Sequence, residues 1–154
     1  MFGYEKLHRA VLAAALSTAP LTTLGAESAN LSIAGITNAA PIECVAVHVN
    51  VQQHTITCKK KFDRTSPLLI SALSKDSTLD VGLDMFRGDG TPSYYGIDTL
   101  KTARIVGVEQ VLPDRLDQAS AALPALESLT ISASKMCFTY TDGGTKVCLG
   151  KATQ

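Results

Sequence analysis

The chain has 154 residues, the length of a single domain. Lys plus Arg and Asp plus Glu balance at 14 each, so the net charge is zero, and nothing in it argues for a nucleic-acid or anionic-membrane partner. The apolar share of 45% is enough for an ordinary core, and Trp is absent.

The first segment has a separate character. Lys6 and Arg9 give a basic start, residues 10–16 are wholly apolar, and small residues dominate up to Gly25 and Ala26. That is the layout of a secretory signal peptide, expected to occupy residues 1–26 and leave a mature domain of residues 27–154. The apolar run is much shorter than the roughly 20 residues a membrane-spanning helix needs, so no membrane span is expected.

Downstream, Glu43, Val45, Val47, Val49 and Val51 alternate with Cys44, Ala46, His48 and Asn50. Valines at period two predict a strand with one buried face. Gln52 and Gln53 fit a polar hairpin loop, and residues 55–62 form a β-branched strand with a basic end. The corner Asp63-Arg64-Thr65-Ser66-Pro67 follows. Ser66 is a good helix N-cap and Pro67 suits the first helical position, where its missing N–H costs nothing. Leu68, Leu69, Ala72 and Leu73 then form an apolar stripe of a short helix that Asp76 and Ser77 end.

Leu79, Val81, Leu83 and Met85 alternate with polar or small residues and predict another half-buried strand. The run Gly88-Asp89-Gly90-Thr91-Pro92 is a dense turn signal. Residues 97–111 carry two strands joined near Lys101, and residues 113–124 read as a loop or a very short helix. Residues 126–140 form a last long strand, which returns through Asp142-Gly143 into Lys146-Val147-Cys148-Leu149. Many short strands, regular turns and one helix predict a mainly β fold: a small antiparallel β-barrel or sandwich with one short flanking helix.

Four cysteines, Cys44, Cys58, Cys137 and Cys148, are suited to two disulfides in an exported chain, with three connectivities open. A turn centred on Asp142-Gly143 sets Cys137 opposite Cys148, at a hydrogen-bonded pair with the wider Cα spacing. Cys44 with Cys58 then remains. A turn centred on Gly143-Gly144 shifts that register by two residues, and four reduced thiols are the cytosolic alternative. No CxxC spacing points to zinc. His48 and His54 read as solvated or interface histidines, without a metal-spaced partner. No nucleophile elbow or P-loop occurs, and Asp80, Asp84 and Asp89 do not match a calcium loop. The chain therefore reads as a non-enzyme without catalytic residues, metal or cofactor. Arg87-Gly88-Asp89 is a common turn tripeptide, and Lys59, Lys60 and Lys61 fall on alternating strand faces.

The basic strand end Lys59-Lys60-Lys61-Phe62-Asp63 running into Ser66-Pro67-Leu68-Leu69 resembles the Hcp family, the tube subunits of type VI secretion systems. Residues 30–36 resemble its first strand, residues 42–47 its second, residues 95–111 its long central hairpin, and residues 127–141 its last long strand, across roughly residues 30–150. The resemblance implies a β-barrel subunit that assembles with itself into a ring, expected to be a hexamer, as part of an exported tube that carries effectors or meets other secretion-machine components. The segment between Ile36 and Ile42 is shorter than the family's loop there. The leader and cysteines suggest an alternative: an Hcp-like binding or ring-forming protein exported to periplasm or medium and acting outside the tube.

Overall fold

The computed structural model describes residues 25–88 and 91–151. Along them run β1 (Gly25–Ile33), β2 (Ile42–Cys44), β3 (Ala46–Asn50), β4 (Thr55–Lys61), α1 (Ser66–Lys75), β5 (Val81–Gly88), β6 (Tyr95–Asp98), β7 (Ala103–Val111), β8 (Leu126–Ala133), β9 (Lys135–Tyr140) and β10 (Thr145–Gly150). They form two antiparallel sheets, one of six strands in the order β10-β9-β6-β5-β1-β2 and one of four in the order β3-β4-β8-β7. The core lies between their inner faces, where Leu31, Ile33, Leu83, Ile56, Leu129 and Ile131 are all at most 1% exposed. Of the expected leader, only Gly25 and Ala26 fall among the described residues, and they open β1. Asp89 and Gly90 of the turn tripeptide and the Gly-rich turn also lie outside them.

Three segments expected to be continuous or paired instead pass from one sheet to the other. The valine run breaks at Val45: β2 belongs to the six-stranded sheet and β3 to the four-stranded one. Ile42 and Cys44 are buried before the break and Val47 and Val49 half-buried after it, while Val45 and Val51 are 52% and 44% exposed. A strand that changes sheets shifts its inward parity by one, so a single valine face cannot persist through the corner. The backbone stays satisfied there, because Val45 N donates to Lys59 O at 2.7 Å.

The expected central hairpin is likewise a crossing, since β6 pairs with β5 and β9 while β7 pairs with β8. At the crossing Leu100 and Lys101 both take left-handed backbone, with φ of 49° and 60°. Asp side chains hold them: Leu100 N donates to Asp98 Oδ1 at 2.7 Å and Lys101 N to Asp80 Oδ1 at 3.2 Å. The last long strand divides at Ser134 into β8 and β9, one in each sheet. Thr102 ties these two crossings together: its carbonyl accepts Ser134 N at 3.3 Å and its hydroxyl accepts Lys135 N at 3.0 Å. Residues 113–124 form turns without a helix.

The helix also differs in detail. Thr65 stands at the N-cap without a side-chain cap bond, and Ser66 and Pro67 are the first two helical residues. Proline is still tolerated there because the first-turn amides have no intrahelical acceptor. Leu69 is fully buried and Ala72 and Leu73 pack against the core, but Leu68 is 48% exposed, so the buried stripe is narrower than the spacing predicts. Helix neighbours 100° apart cannot all face the sheet when the helix lies at its edge, beside β7. Asp76 ends the helix in left-handed backbone, as its position after Lys75 suggests.

Candidate functional site

The inward alternation of β4 places Ile56, Cys58 and Lys60 on the core face, and that of β8 places Glu127, Leu129, Ile131 and Ala133 there. Two charged residues thus occupy positions where the strand period calls for apolar ones. Register sets Lys60 directly opposite Glu127, and Glu127 directly opposite Gln110 of β7, so the three form a row across three strands. Lys60 Nζ lies 3.3 Å from Glu127 Oε1, with the two side chains 1% and 0% exposed. Gln110 Nε2 donates to Glu127 Oε2 at 2.9 Å. A buried ion pair persists only where its desolvation is offset by further hydrogen bonds, and here both ends have them.

The strand-to-helix corner supplies the rest. Lys60 Nζ donates to Ser66 Oγ at 3.1 Å and pairs with Asp63 Oδ1 at 3.1 Å. Ser66 Oγ also accepts from Asp63 N at 3.3 Å, and Asp63 Oδ1 accepts from Thr65 N and Thr65 Oγ1 at 2.7 and 2.6 Å. Ser66 therefore faces back toward the lysine instead of capping the helix. Partial burial alone would push the Asp63 carboxyl up, but the Thr65 hydroxyl and amide and the Lys60 ammonium outweigh it and hold it below the usual carboxylate range. This network fixes where α1 leaves the sheet. Lys59 and Lys61 are exposed, so the lysine triplet is divided between core and solvent.

The structure brings Asp63, Ser66 and Pro67 together in this corner and joins the four cysteines in two pairs. Cys44 of β2 bonds to Cys58 of β4, both buried, and so staples the six-stranded sheet to the four-stranded one. Cys137 of β9 bonds to Cys148 of β10 within the last hairpin. Gly144 N donates to Thr141 O at 3.2 Å, which centres that turn on Asp142 and Gly143. The Cα atoms of Cys137 and Cys148 lie 4.0 Å apart, the close spacing of a non-hydrogen-bonded pair and not the wider one expected: the bond from Lys151 N to Ser134 O sets the alternation along this ladder, and the odd residues of β9 turn their backbone groups toward β6.

His48 is exposed, but His54 is only 7% exposed and its Nδ1 has no hydrogen-bond partner, so it is not the solvated histidine its loop position suggests. The reason is the turn itself, where left-handed backbone at His54 folds the ring inward. Asp80 and Asp84 are occupied by local hydrogen bonds to Lys101 N and Ser93 Oγ. Among the described residues no group of three or more His, Cys, Asp or Glu side chains could hold a metal ion. No helix among them is long and apolar enough to cross a membrane.

Outward, β10 is an exposed edge strand, with Val147 and Leu149 51% and 38% exposed. At another surface, Leu112, Leu116 and Leu123 of the 112–125 loop are 73%, 94% and 60% exposed. The loop borders an apolar cleft of about 420 Å³ that also touches Lys59, Leu126 and Glu127. Unpaired edge strands and exposed apolar patches are typical of surfaces that associate with other molecules.

Residues 42–140 match the family model described as "Type VI secretion system effector, Hcp". Hcp1 from Salmonella typhimurium has the same fold, with a TM-score of 0.70 at 20% identity, over 84% of this chain and 99% of that one. The secreted protein Hcp3 from Pseudomonas aeruginosa matches with a TM-score of 0.64 at 20% identity, over 83% and 100% of the two chains. A type VI secretion system effector from Yersinia pestis matches with a TM-score of 0.65 at 19% identity, over 79% and 98%. No curated protein sequence matches the chain. With the family model covering well over half of the sequence, the chain belongs to the Hcp family of type VI secretion proteins, a structural family and not one of enzymes.

Proposed function

We propose that the chain is an exported, ring-forming subunit of a type VI secretion-type apparatus, assembling with itself as a hexamer whose rings form a conduit for effectors. The family match across residues 42–140 is the observation that carries this reading. A closed ring requires two different, complementary patches on each subunit. The exposed edge of β10 and the leucine-rich 112–125 loop are two different exposed surfaces, and support it. Light scattering behind size exclusion, with negative-stain microscopy of the mature protein, tests it. Rings of six subunits are expected, and a monomer at high concentration would argue against it.

Two disulfides favour a second reading, in which the protein is exported through a cleaved leader of residues 1–26 and works in periplasm or medium apart from any tube. Disulfides of this kind form in oxidising compartments. Intact-mass measurement of secreted material tests the leader, and a retained Met1 would remove the export argument. Rings that form but never stack end to end would favour this second reading over the first.

A further inference from the structure

The crossing that joins β6 to β7 and the break between β8 and β9 meet beside the end of β10, and together they enclose a cleft of about 450 Å³. Its charged lining is cationic throughout: Lys101, Arg104 and Lys151, with no carboxylate among the lining residues. Thr78, Ser132 and Ser134, each with a hydroxyl, line the same space. In a chain of zero net charge, three cations around one concavity are a local excess that the composition does not require.

The groups differ in what already occupies them. Arg104 is bridged to Asp76 through its Nη1, and Lys151 Nζ donates to Ser132 Oγ at 3.1 Å. Among the described residues, Lys101 Nζ, Thr78 Oγ1 and Ser134 Oγ have no hydrogen-bond or ion-pair partner. Lys101 is also held in left-handed backbone, at φ of 60°, by the bond from its amide to Asp80 Oδ1. Backbone conformations that cost energy persist only where surrounding structure enforces them, and they gather at ligand sites. The floor is rigid, because Thr102 and Ser134 tie the two crossings together and Lys151 N donates to Ser134 O at 2.8 Å.

We infer that this cleft binds a phosphate-type oxyanion. Three cations with hydroxyl-bearing residues between them match a multiply charged tetrahedral anion better than they match a single carboxylate. Lys101 and Lys151 supply the flexible charges, the free guanidinium nitrogens of Arg104 a planar donor, and Ser134 and Thr78 neutral donors. The phosphoryl group comes from free phosphate or from the headgroup of an anionic lipid, and both present the same oxygens.

The test titrates the full mature protein with inorganic phosphate and pyrophosphate by calorimetry and by amide chemical shifts, with succinate as a carboxylate control. In parallel, vesicles of phosphatidylglycerol are compared with vesicles of phosphatidylcholine. Saturable pyrophosphate binding is expected, with shifts centred on residues 101–104, 132–134 and 151 and affinity falling as salt is added. The pair Lys101→Ala with Lys151→Ala is expected to weaken binding roughly tenfold or more, a change of about 1.4 kcal/mol or greater. Lys101→Arg with Lys151→Arg restores it, and Lys59→Ala with Lys61→Ala leaves it unchanged. Binding to soluble phosphates but not to vesicles identifies a free-phosphate site, and selective binding to phosphatidylglycerol identifies a lipid one. Absence of saturable binding in every arm, equal binding by the lysine-to-alanine pair, or preference for succinate would each overturn the assignment.

Discussion

Replacing Lys60 by Met would leave the Glu127 carboxylate fully buried with only Gln110 to support it. The cost follows from the geometry. Both side chains are at most 1% exposed, and their oppositely charged atoms are 3.3 Å apart. Removing one partner of such a pair typically costs about 3–5 kcal/mol, because the remaining charge stays desolvated. A domain of this size is stable by about 5–15 kcal/mol, and its melting point falls by about 2–4 °C per kcal/mol lost. Lys60→Met should therefore lower the melting temperature by roughly 10 °C. Glu127→Leu alone should cost less, because the ammonium keeps its ion pair with Asp63 and its bond to Ser66. The double variant Lys60→Met with Glu127→Leu should recover most of the loss, since apolar residues of similar size fill the row and exposed Gln110 turns to water. Urea unfolding of the four proteins, with both disulfides intact, reads this cycle. Single variants that cost less than about 1 kcal/mol, or a double variant that costs the sum of the singles, would refute the coupling.

Three further outcomes follow from the same structure. Replacing Cys44 and Cys58 together by Ser should cost about 3 kcal/mol by the loop-closure estimate for a bridge of this span, seen as a lower urea midpoint. The Asp63 carboxyl titrates below its ordinary value of 3.8, so its contribution is fully present above that pH and is lost as pH falls through the lower, folded value. Asp63→Asn should therefore be less stable than the parent at pH 6, and the gap should narrow toward pH 3; a gap that widens in acid would show that the sign is wrong. Leu112→Glu, at a residue 73% exposed, should leave the melting temperature of the single subunit nearly unchanged. It should shift the light-scattering mass toward smaller species if the 112–125 loop is a ring contact.

The strand content, the helix at the Ser-Pro corner and the pairing across Asp142-Gly143 can be read directly from residue order, because each rests on a local rule. Sheet switching cannot be read that way. Periodicity shows alternation but not which sheet a strand joins, so residues 43–51, 95–111 and 126–140 each read as one uninterrupted or hairpin unit. A trace of one switch does exist in the parity of the inward positions, which moves from 42 and 44 to 47 and 49; after Ser134 both Met136 and Cys137 are buried, so that switch leaves no clean parity signal. The buried pair could have been found by the same test. Lys60 shares the parity of Ile56 and Cys58, and Glu127 that of Leu129 and Ile131, which marks both as core positions. The inward turn of His54 has no such signal, since it depends on left-handed backbone at one residue of a loop.

The measurement that bears most directly on a ring-forming structural subunit is the mass and shape of the mature, oxidised protein in solution. Light scattering with negative-stain microscopy should give six subunits in a closed ring with a central opening. A monodisperse monomer across the concentration range, with no rings on the grid, would contradict it.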